Sequence, residues 1–134
     1  FRRVLFRSGA AKATTLAIPE LKDKFDGIAV RVPVLSGSIV DITFLASRGT
    51  SVQEVNDALR KAAQEKRWEG IFSVTEEPLV SSDILKSSYA SIADLAMTRV
   101  VDGNLVKVMA WYDNEMGYTH TLVEHVIKTA SHIK

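Results

Sequence analysis

Residues 105–118 read LVKVMAWYDNEMGY, and the other predicted elements are arranged around this stretch. Its first half predicts a β-strand, because Val106, Val108 and Ala110 alternate with longer side chains in a run rich in strand-forming residues. The strand pattern stops abruptly in the polar segment YDNE at 112–115, and a helical pattern follows. Polar side chains therefore lie where a strand ends, which is a common place for ligands in α/β proteins.

Asp113 and Asn114 in this segment have two interpretations. Both residue types commonly form turns and cap helices, and the pattern alone favours that structural role. The other interpretation is that their amide and carboxylate groups bind a ligand at the end of the sheet. The local pattern leaves both open.

The composition describes one globular domain without a disulfide framework. The chain has 134 residues, of which 46% are hydrophobic and 25% are charged, and its net charge is +1. We therefore expect neither a nucleic-acid nor a membrane partner. The absence of cysteine excludes a disulfide, a thiolate metal site and a cysteine nucleophile within these residues.

Residues 1–8, FRRVLFRS, do not continue into any periodic pattern. In-frame translation of a common sequencing adapter gives the heptapeptide at 2–8. We therefore predict that residues 1–8 are a non-native tail, that the protein-like sequence is 9–134, and that the chain is a fragment whose true amino end is missing.

The first third of the protein-like sequence predicts one helix and two strands. The helix covers 9–17 and ends near Pro19, which cannot continue it. The strands cover 27–34 and 39–45, and we expect the first to be buried over much of its length. The short polar link around Gly37 predicts that the two strands are antiparallel neighbours.

Two longer amphipathic helices follow. Ser51 and Glu54 form the pattern of a capping box at the start of the first helix, and the second continues from Gly117 to the end of the chain. Their apolar stripes, which we expect to be buried, are Val52, Val55, Leu59, Ala62 and Ala63 in the first and Leu122, Val123, Val126, Ile127 and Ala130 in the second.

Shorter strand patterns cover 71–75, 91–95 and 97–101, and the pair Asp102-Gly103 predicts a tight hairpin into the strand at 105. The predicted fold class is α+β. It is a mostly antiparallel, mixed sheet of about five to seven strands with helices on one face.

Several kinds of site find no support in the pattern. His120, His125 and His132 fall on the predicted last helix, but their spacing does not align them as metal ligands, so we predict no metal site. The chain also lacks a Gly-rich dinucleotide loop, a phosphate-binding P-loop and the elbow around a nucleophilic serine. We infer that an independent dinucleotide-binding domain is absent from these residues.

Arg31 is the exception, because it interrupts an apolar strand pattern. A buried guanidinium is costly unless it is paired, and its planar fork suits phosphate or carboxylate. A salt bridge, for example to Asp41, and an anion-binding site are both open on this pattern.

Five motifs in order carry a family resemblance that spans Gly9 to Lys134. They are GAAKA at 9–13, RVP at 31–33, SIVD at 38–41, VSSD at 80–83, and WYDNE at 111–115 with Gly117 and Tyr118. In this order and at these separations they resemble the carboxyl-terminal part of the catalytic domain of phosphorylating glyceraldehyde-3-phosphate dehydrogenase. The family's catalytic domain has an antiparallel-rich sheet with helices on one side, which agrees with the fold predicted above.

The resemblance implies roles for four residues. Arg31 matches the arginine that binds phosphate of the substrate or the attacking inorganic phosphate. Gly9 is included in the phosphate site because it follows the position of a phosphate-contacting threonine, which Ser8 occupies here. Asn114 matches the asparagine that holds the nicotinamide carboxamide, and Tyr118 matches a tyrosine packed near that ring. Departures from the family pattern occur at Val34, Leu35, Met116 and Thr119.

The resemblance also implies an activity for the whole parent protein. The parent would be a cytoplasmic, homotetrameric oxidoreductase of glycolysis. It would use NAD and inorganic phosphate to oxidise and phosphorylate glyceraldehyde 3-phosphate to 1,3-bisphosphoglycerate, and NADP is not excluded as the cofactor. The family's catalytic cysteine and histidine are not in this chain, so no catalytic residue is assigned and we predict that the fragment alone is inactive. Alternatives are a fragment of erythrose-4-phosphate dehydrogenase and a stand-alone, non-catalytic binding module.

Overall fold

A computed structural model of the chain describes residues 5–7 and 9–133. The described residues fall into two compact units, one ending at Val34 and the other beginning at Leu35. The division comes one residue after the RVP motif at 31–33, so the motif that contains Arg31 and the strand that leads to Asn114 belong to different units.

The first unit contains strand β1 (Leu5–Arg7), helix α1 (Gly9–Ala17) and strand β2 (Ile28–Val30). β1 and β2 form an antiparallel ribbon of two strands. The helix predicted at 9–17 is confirmed, whereas the predicted strand at 27–34 is reduced to three residues. The prediction that this strand is buried is also wrong, because Ile28, Ala29 and Val30 are all exposed. A two-stranded ribbon has too little surface to build a core of its own.

The second unit is a four-stranded sheet with two helices. Its elements are β3 (Ser38–Leu45), α2 (Val52–Ala63), β4 (Phe72–Thr75), β5 (Ser91–Val101), β6 (Leu105–Tyr112) and α3 (Met116–Ala130). The strand order is β3-β6-β5-β4, with antiparallel pairs except for the parallel β4–β5 pair. The α+β class with a mixed, mostly antiparallel sheet is confirmed. The prediction of one sheet of five to seven strands is wrong, since the six described strands form a sheet of four and a separate pair.

The predicted neighbours 27–34 and 39–45 do not pair with each other. β2 pairs with β1, and β3 pairs along its whole length with β6, from Ser38 opposite Tyr112 to Leu45 opposite Leu105. A tight two-residue turn specifies a hairpin, but the seven residues between β2 and β3 leave the partner to be chosen by distant strands.

The predicted hairpin between β5 and β6 is confirmed. Asp102 and Gly103 both have positive φ, 49° and 73°, as a tight hairpin turn requires. The two strands predicted between 91 and 101 are a single strand, whose register with β6 shifts between Asp94 and Arg99. This irregularity explains the break in the sequence pattern there, because a bulge interrupts strict alternation.

Helix α2 begins with the predicted cap, but only half of the capping box forms. Ser51 Oγ accepts a hydrogen bond from Glu54 N at 3.2 Å. The Glu54 carboxylate does not complete the box and instead accepts from the side chains of Arg48 and Thr50. The cap prediction is therefore confirmed for the Ser51 hydroxyl alone.

The core lies between the sheet and α2. Its buried apolar side chains are Ile84, Ala93, Leu95, Val106, Val108 and Ala110. Asn56 is the buried residue of α2, and its Nδ2 donates to Leu95 O at 3.0 Å, which ties the helix to β5. Most of the predicted α2 stripe is half-buried, although Val52 at its first turn is exposed.

The apolar stripe of α3 is not buried as predicted. Leu122, Val123, Val126 and Ile127 have exposed fractions from 45% to 58%. The helical period was correct, but no described element covers this stripe. Within residues 9–133, no helix combines the length and the apolar character that a membrane span needs.

Candidate functional site

The carboxyl end of β6 is organised by Asp113, which is 6% exposed. Its Oδ1 accepts from Glu115 N at 2.9 Å and from Met116 N at 2.8 Å, and its Oδ2 accepts from Lys86 N at 2.9 Å. These bonds from Met116, Lys86 and Glu115 lower the pKa of the Asp113 carboxyl below its ordinary value. The structural interpretation of Asp113 as a capping residue is thus confirmed.

Asp113 also fixes the loop that precedes β5. Lys86, whose N–H it binds, has a φ of 69°, which a residue with a side chain rarely adopts. The short 3₁₀ turn Ser81–Ile84 comes just before this residue, and Ile84 is 1% exposed. The carboxylate therefore holds the loop before β5 and the start of α3 at one strand end.

Asn114 is free to present its side chain because Asp113 already caps the turn. Its Oδ1 accepts from Ser38 Oγ at 2.8 Å, and beside this bond Ser36 Oγ donates to Glu115 Oε2 at 2.7 Å. Asn114 is exposed, and among the described residues its Nδ2 has no hydrogen-bond acceptor. The strand end thus offers an oriented amide whose donor group is available.

The loop at 36–38, which supplies the two hydroxyls, is held by a glycine. Gly37 is buried with a φ of 85°, and a Cβ there would lie 3.0 Å from Ser81 O. A side chain at this position would be strained and would push the loop away from the turn. The close approach brings the SIVD and VSSD motifs to the same end of the sheet.

Tyr118 lies near the same end of β6, in the first turn of α3. Its neighbour Gly117 is buried, and a Cβ there would lie only 2.6 Å from Tyr89 O. Tyr118 itself is 67% exposed. Asn114 and Tyr118 are therefore two exposed groups flanking one close contact between α3 and the loop before β5.

Arg31 and Gly9 lie in the first unit. Arg31 follows β2 and is exposed, so the expectation of a guanidinium inside a buried strand is wrong. Asp41, its suggested partner, accepts from Lys107 Nζ at 2.7 Å, and this bond lowers the pKa of the Asp41 carboxyl. Gly9 is the exposed first residue of α1, with open space where a Cβ would be.

The histidines do not assemble into a site. His120 and His125 lie in α3, whereas His132 lies beyond its last residue, contrary to the prediction that all three share the helix. In the part of the chain that the structure describes, no group of three His, Asp or Glu side chains is placed to hold a metal ion.

Comparison with known proteins assigns the chain to a family. The model of the glyceraldehyde 3-phosphate dehydrogenase C-terminal domain matches residues 6–114, which is most of the chain and ends at Asn114. The chain belongs to this family.

Curated relatives agree with that assignment. A glyceraldehyde-3-phosphate dehydrogenase 2 of Streptomyces avermitilis is 50% identical over 117 residues, covering 87% of this chain and 35% of the relative. The glyceraldehyde-3-phosphate dehydrogenase of Geobacillus stearothermophilus is 48% identical over 124 residues, covering 92% and 37%. The chain therefore spans about a third of the length of the curated relatives that it matches.

Sequence reasoning missed the two serines that support the family's WYDNE motif. Ser36 and Ser38 precede or begin β3, and nothing local indicates that they bond to residues more than seventy positions away. The signal that would have found them is the β3–β6 register, which places Ser38 opposite Tyr112 and close to Asn114.

Proposed function

We propose that this chain is the carboxyl-terminal part of the catalytic domain of a phosphorylating glyceraldehyde-3-phosphate dehydrogenase that uses NAD. Residues 9–134 would form that part, and residues 1–8 would be the non-native tail. The observation that carries the proposal is the oriented Asn114 amide at the end of β6, in a chain of this family.

The residues present suit a nicotinamide carboxamide. Asn114 offers a hydrogen-bond donor to a carboxamide oxygen, and Tyr118 adds an exposed aromatic face in the first turn of α3. NAD, when bound, would accept the hydride from the substrate. The role of this chain would be to orient the nicotinamide ring, which contributes to the rate because a misplaced reactant reacts slowly.

Arg31 and Gly9 are the proposed phosphate residues. An exposed guanidinium supplies a planar fork for the phosphate of glyceraldehyde 3-phosphate or for inorganic phosphate. Gly9 lets a phosphate approach the backbone closely, since no side chain occupies the space around it. We propose glyceraldehyde 3-phosphate, inorganic phosphate and NAD as the ligands of the parent protein.

The chain lacks cysteine, and so it has no thiolate to attack an aldehyde. We therefore propose that it has no dehydrogenase activity alone and that the active form is a longer, homotetrameric, cytoplasmic parent. The nucleotide sequence upstream of the Gly9 codon tests this: it should continue into a cysteine-bearing segment and a Gly-rich nucleotide-binding domain. A start codon in frame with residues 1–8 would contradict it.

An exchange protein tests the site directly. In it, the aligned segment of the Geobacillus relative is replaced by that of this chain, and reduction of NAD is measured with glyceraldehyde 3-phosphate and phosphate. We expect activity, with kcat/KM lowered about 10–100-fold by Asn114→Ala, because the ring loses its orienting bond. We expect Arg31→Ala to raise the KM for phosphate-bearing ligands by about tenfold or more.

Matched controls are Gln53→Ala and Arg67→Ala, which remove an exposed amide and an exposed guanidinium elsewhere. Both should leave kcat and KM unchanged. A folded, tetrameric exchange protein without activity would contradict the proposal. Greater activity with erythrose 4-phosphate would favour the alternative substrate, and parallel assays with NADP determine the nucleotide.

A further inference from the structure

The hydrogen bond between Ser38 and Asn114 gives the amide a defined orientation. Ser38 begins β3 opposite Tyr112, two residues before Asn114, and its Oγ donates to Asn114 Oδ1 at 2.8 Å. An asparagine amide has an acceptor at one end and two donors at the other. A hydroxyl that donates to the acceptor end turns the donor end the opposite way.

Both partners of this bond are held by their neighbours. On one side, Asp113 binds the N–H groups of Glu115 and Met116 and so fixes the backbone that carries Asn114. On the other side, Gly37 packs closely against Ser81 O and positions the loop before Ser38. The bond therefore joins two fixed segments, which makes the orientation a built feature of the strand end.

The parallel bond from Ser36 Oγ to Glu115 Oε2 has a consequence for the same amide. It engages the Glu115 carboxylate, one of the two anionic neighbours of Asn114 in the sequence; the other, Asp113, accepts from three backbone N–H groups. Asn114 Nδ2 is left without an acceptor in the described residues and is exposed. Among the described residues, the site consequently offers a donor that no side chain engages.

We propose that Ser38 is a positioning residue for Asn114: its hydroxyl holds the amide so that Nδ2 faces the ligand. This rests on the proposed function, in which Asn114 donates to the carbonyl oxygen of the nicotinamide carboxamide. The carboxamide NH₂ of the ligand is then not read by Asn114. An acetyl group in its place should be accepted equally well.

The orientation can be tested in the 134-residue chain without ligand. The ¹⁵N relaxation of the Asn114 side-chain amide should show a rigid group, Ser38→Ala should make it mobile, and Ser38→Thr should restore rigidity because threonine keeps the hydroxyl. Equal mobility in all three proteins would overturn the proposal. So would strong cross-peaks between the Nδ2 protons and the Ser38 β protons, which would place the donor end toward Ser38.

The recognised group is tested in the exchange protein described above, with NAD and its 3-acetylpyridine analogue, whose ring substituent has a carbonyl oxygen but no N–H. We expect both dinucleotides to shift the Asn114 amide signals, with Kd values within about twofold. Ser38→Ala should weaken both by about three- to tenfold, the range for one hydrogen bond. An analogue about tenfold weaker than NAD would mean that Asn114 presents its acceptor, and would overturn the proposal.

Asn114→Asp is the matched variant, because it keeps an acceptor for Ser38 and replaces the donor by a charged carboxylate oxygen. It should weaken both dinucleotides at least as much as Ser38→Ala does. In the exchange protein, dinucleotide Kd values that Asn114→Asp leaves unchanged would contradict the nicotinamide contact of the proposed function and leave the Ser38 bond purely structural. Dinucleotide binding without any effect of Ser38→Ala would contradict the positioning role alone.

Discussion

Helices α2 and α3 have the same amphipathic pattern, but their apolar stripes have different surroundings. The stripe of α2 packs on the sheet, where Val55 and Leu59 are half-buried and Asn56 bonds to β5. The stripe of α3 is open, with Val126 58% exposed. The comparison teaches that a helical period identifies the apolar face of a helix and says nothing about what covers it.

The two helices also begin differently. α2 is capped by one neutral hydroxyl, that of Ser51. α3 is held by the buried carboxylate of Asp113 and by the close approach of Gly117 to Tyr89 O. The helix with the open stripe is thus fixed firmly at its first turn, which is the end that carries the candidate site.

The largest effect should come from the start of α3. Asp113→Ala leaves three backbone N–H groups without their acceptor, so we expect the free energy of unfolding to fall by about 3 kcal/mol. Urea unfolding followed by circular dichroism measures this. The control is Asp57→Ala, on the exposed face of α2, which should change stability by less than about 0.5 kcal/mol. Asp102→Ala is unsuitable as a control, because Asp102 has a positive φ.

Acid should weaken the same anchor. The folded-state pKa of Asp113 lies below its ordinary value of 3.8, so its contribution is present above that value and is lost as pH falls through the lower, folded-state pKa. Unfolding measured from pH 6 to pH 2 should show stability falling below about pH 4. In Asp113→Asn this fall should be smaller; an unchanged profile would assign the acid sensitivity to other carboxylates, such as Asp41.

Gly117→Ala should have the next largest effect. Its Cβ would lie 2.6 Å from Tyr89 O, so either α3 or the loop before β5 must move, and we expect a loss of about 2 kcal/mol. Thermal unfolding measures it, with Gly49→Ala as control, since the nearest atom to a Cβ there is 3.9 Å away. Equal melting temperatures for the two variants would show that α3 is not held at its first turn.

A leucine pair tests the two stripes directly. Leu59→Ala should destabilise by about 2 kcal/mol because it removes half-buried methyl groups between α2 and the sheet. Leu122→Ala, at 45% exposure in α3, should change stability by less than about 0.5 kcal/mol. Denaturant midpoints of the two variants give the comparison, and similar losses would mean that something covers the α3 stripe.

Ser51→Ala should have the smallest effect of the series. Removing this hydroxyl leaves one N–H at the start of α2 without a partner, at a cost of about 1 kcal/mol. Glu54→Gln is the control for the other half of the capping box, which does not form, and it should change little. A larger loss for Glu54→Gln than for Ser51→Ala would reverse this account of the cap.

Local patterns predicted the elements better than their partners. The hairpin at Asp102-Gly103 was predictable because positive φ at both positions is a property of those residue types. The β3–β6 pairing was not, because it joins strands separated by helix α2 and by strands β4 and β5. The same limit concealed the partner of Asn114, whereas the capping role of Asp113 was visible in its position between a strand and a helix.

The sequence by itself determined the family, the α+β class, the positions of most helices and strands, and the choice of Asn114 as a candidate. These depend on residue type, local period and motif order, which act over a few positions at a time. Only the tertiary structure decided that Arg31 is exposed, that the α3 stripe is open and that Ser38 donates to the Asn114 side chain. Each of these depends on which distant surfaces meet, and pairing across a sheet is set by the whole set of strands rather than by any one of them.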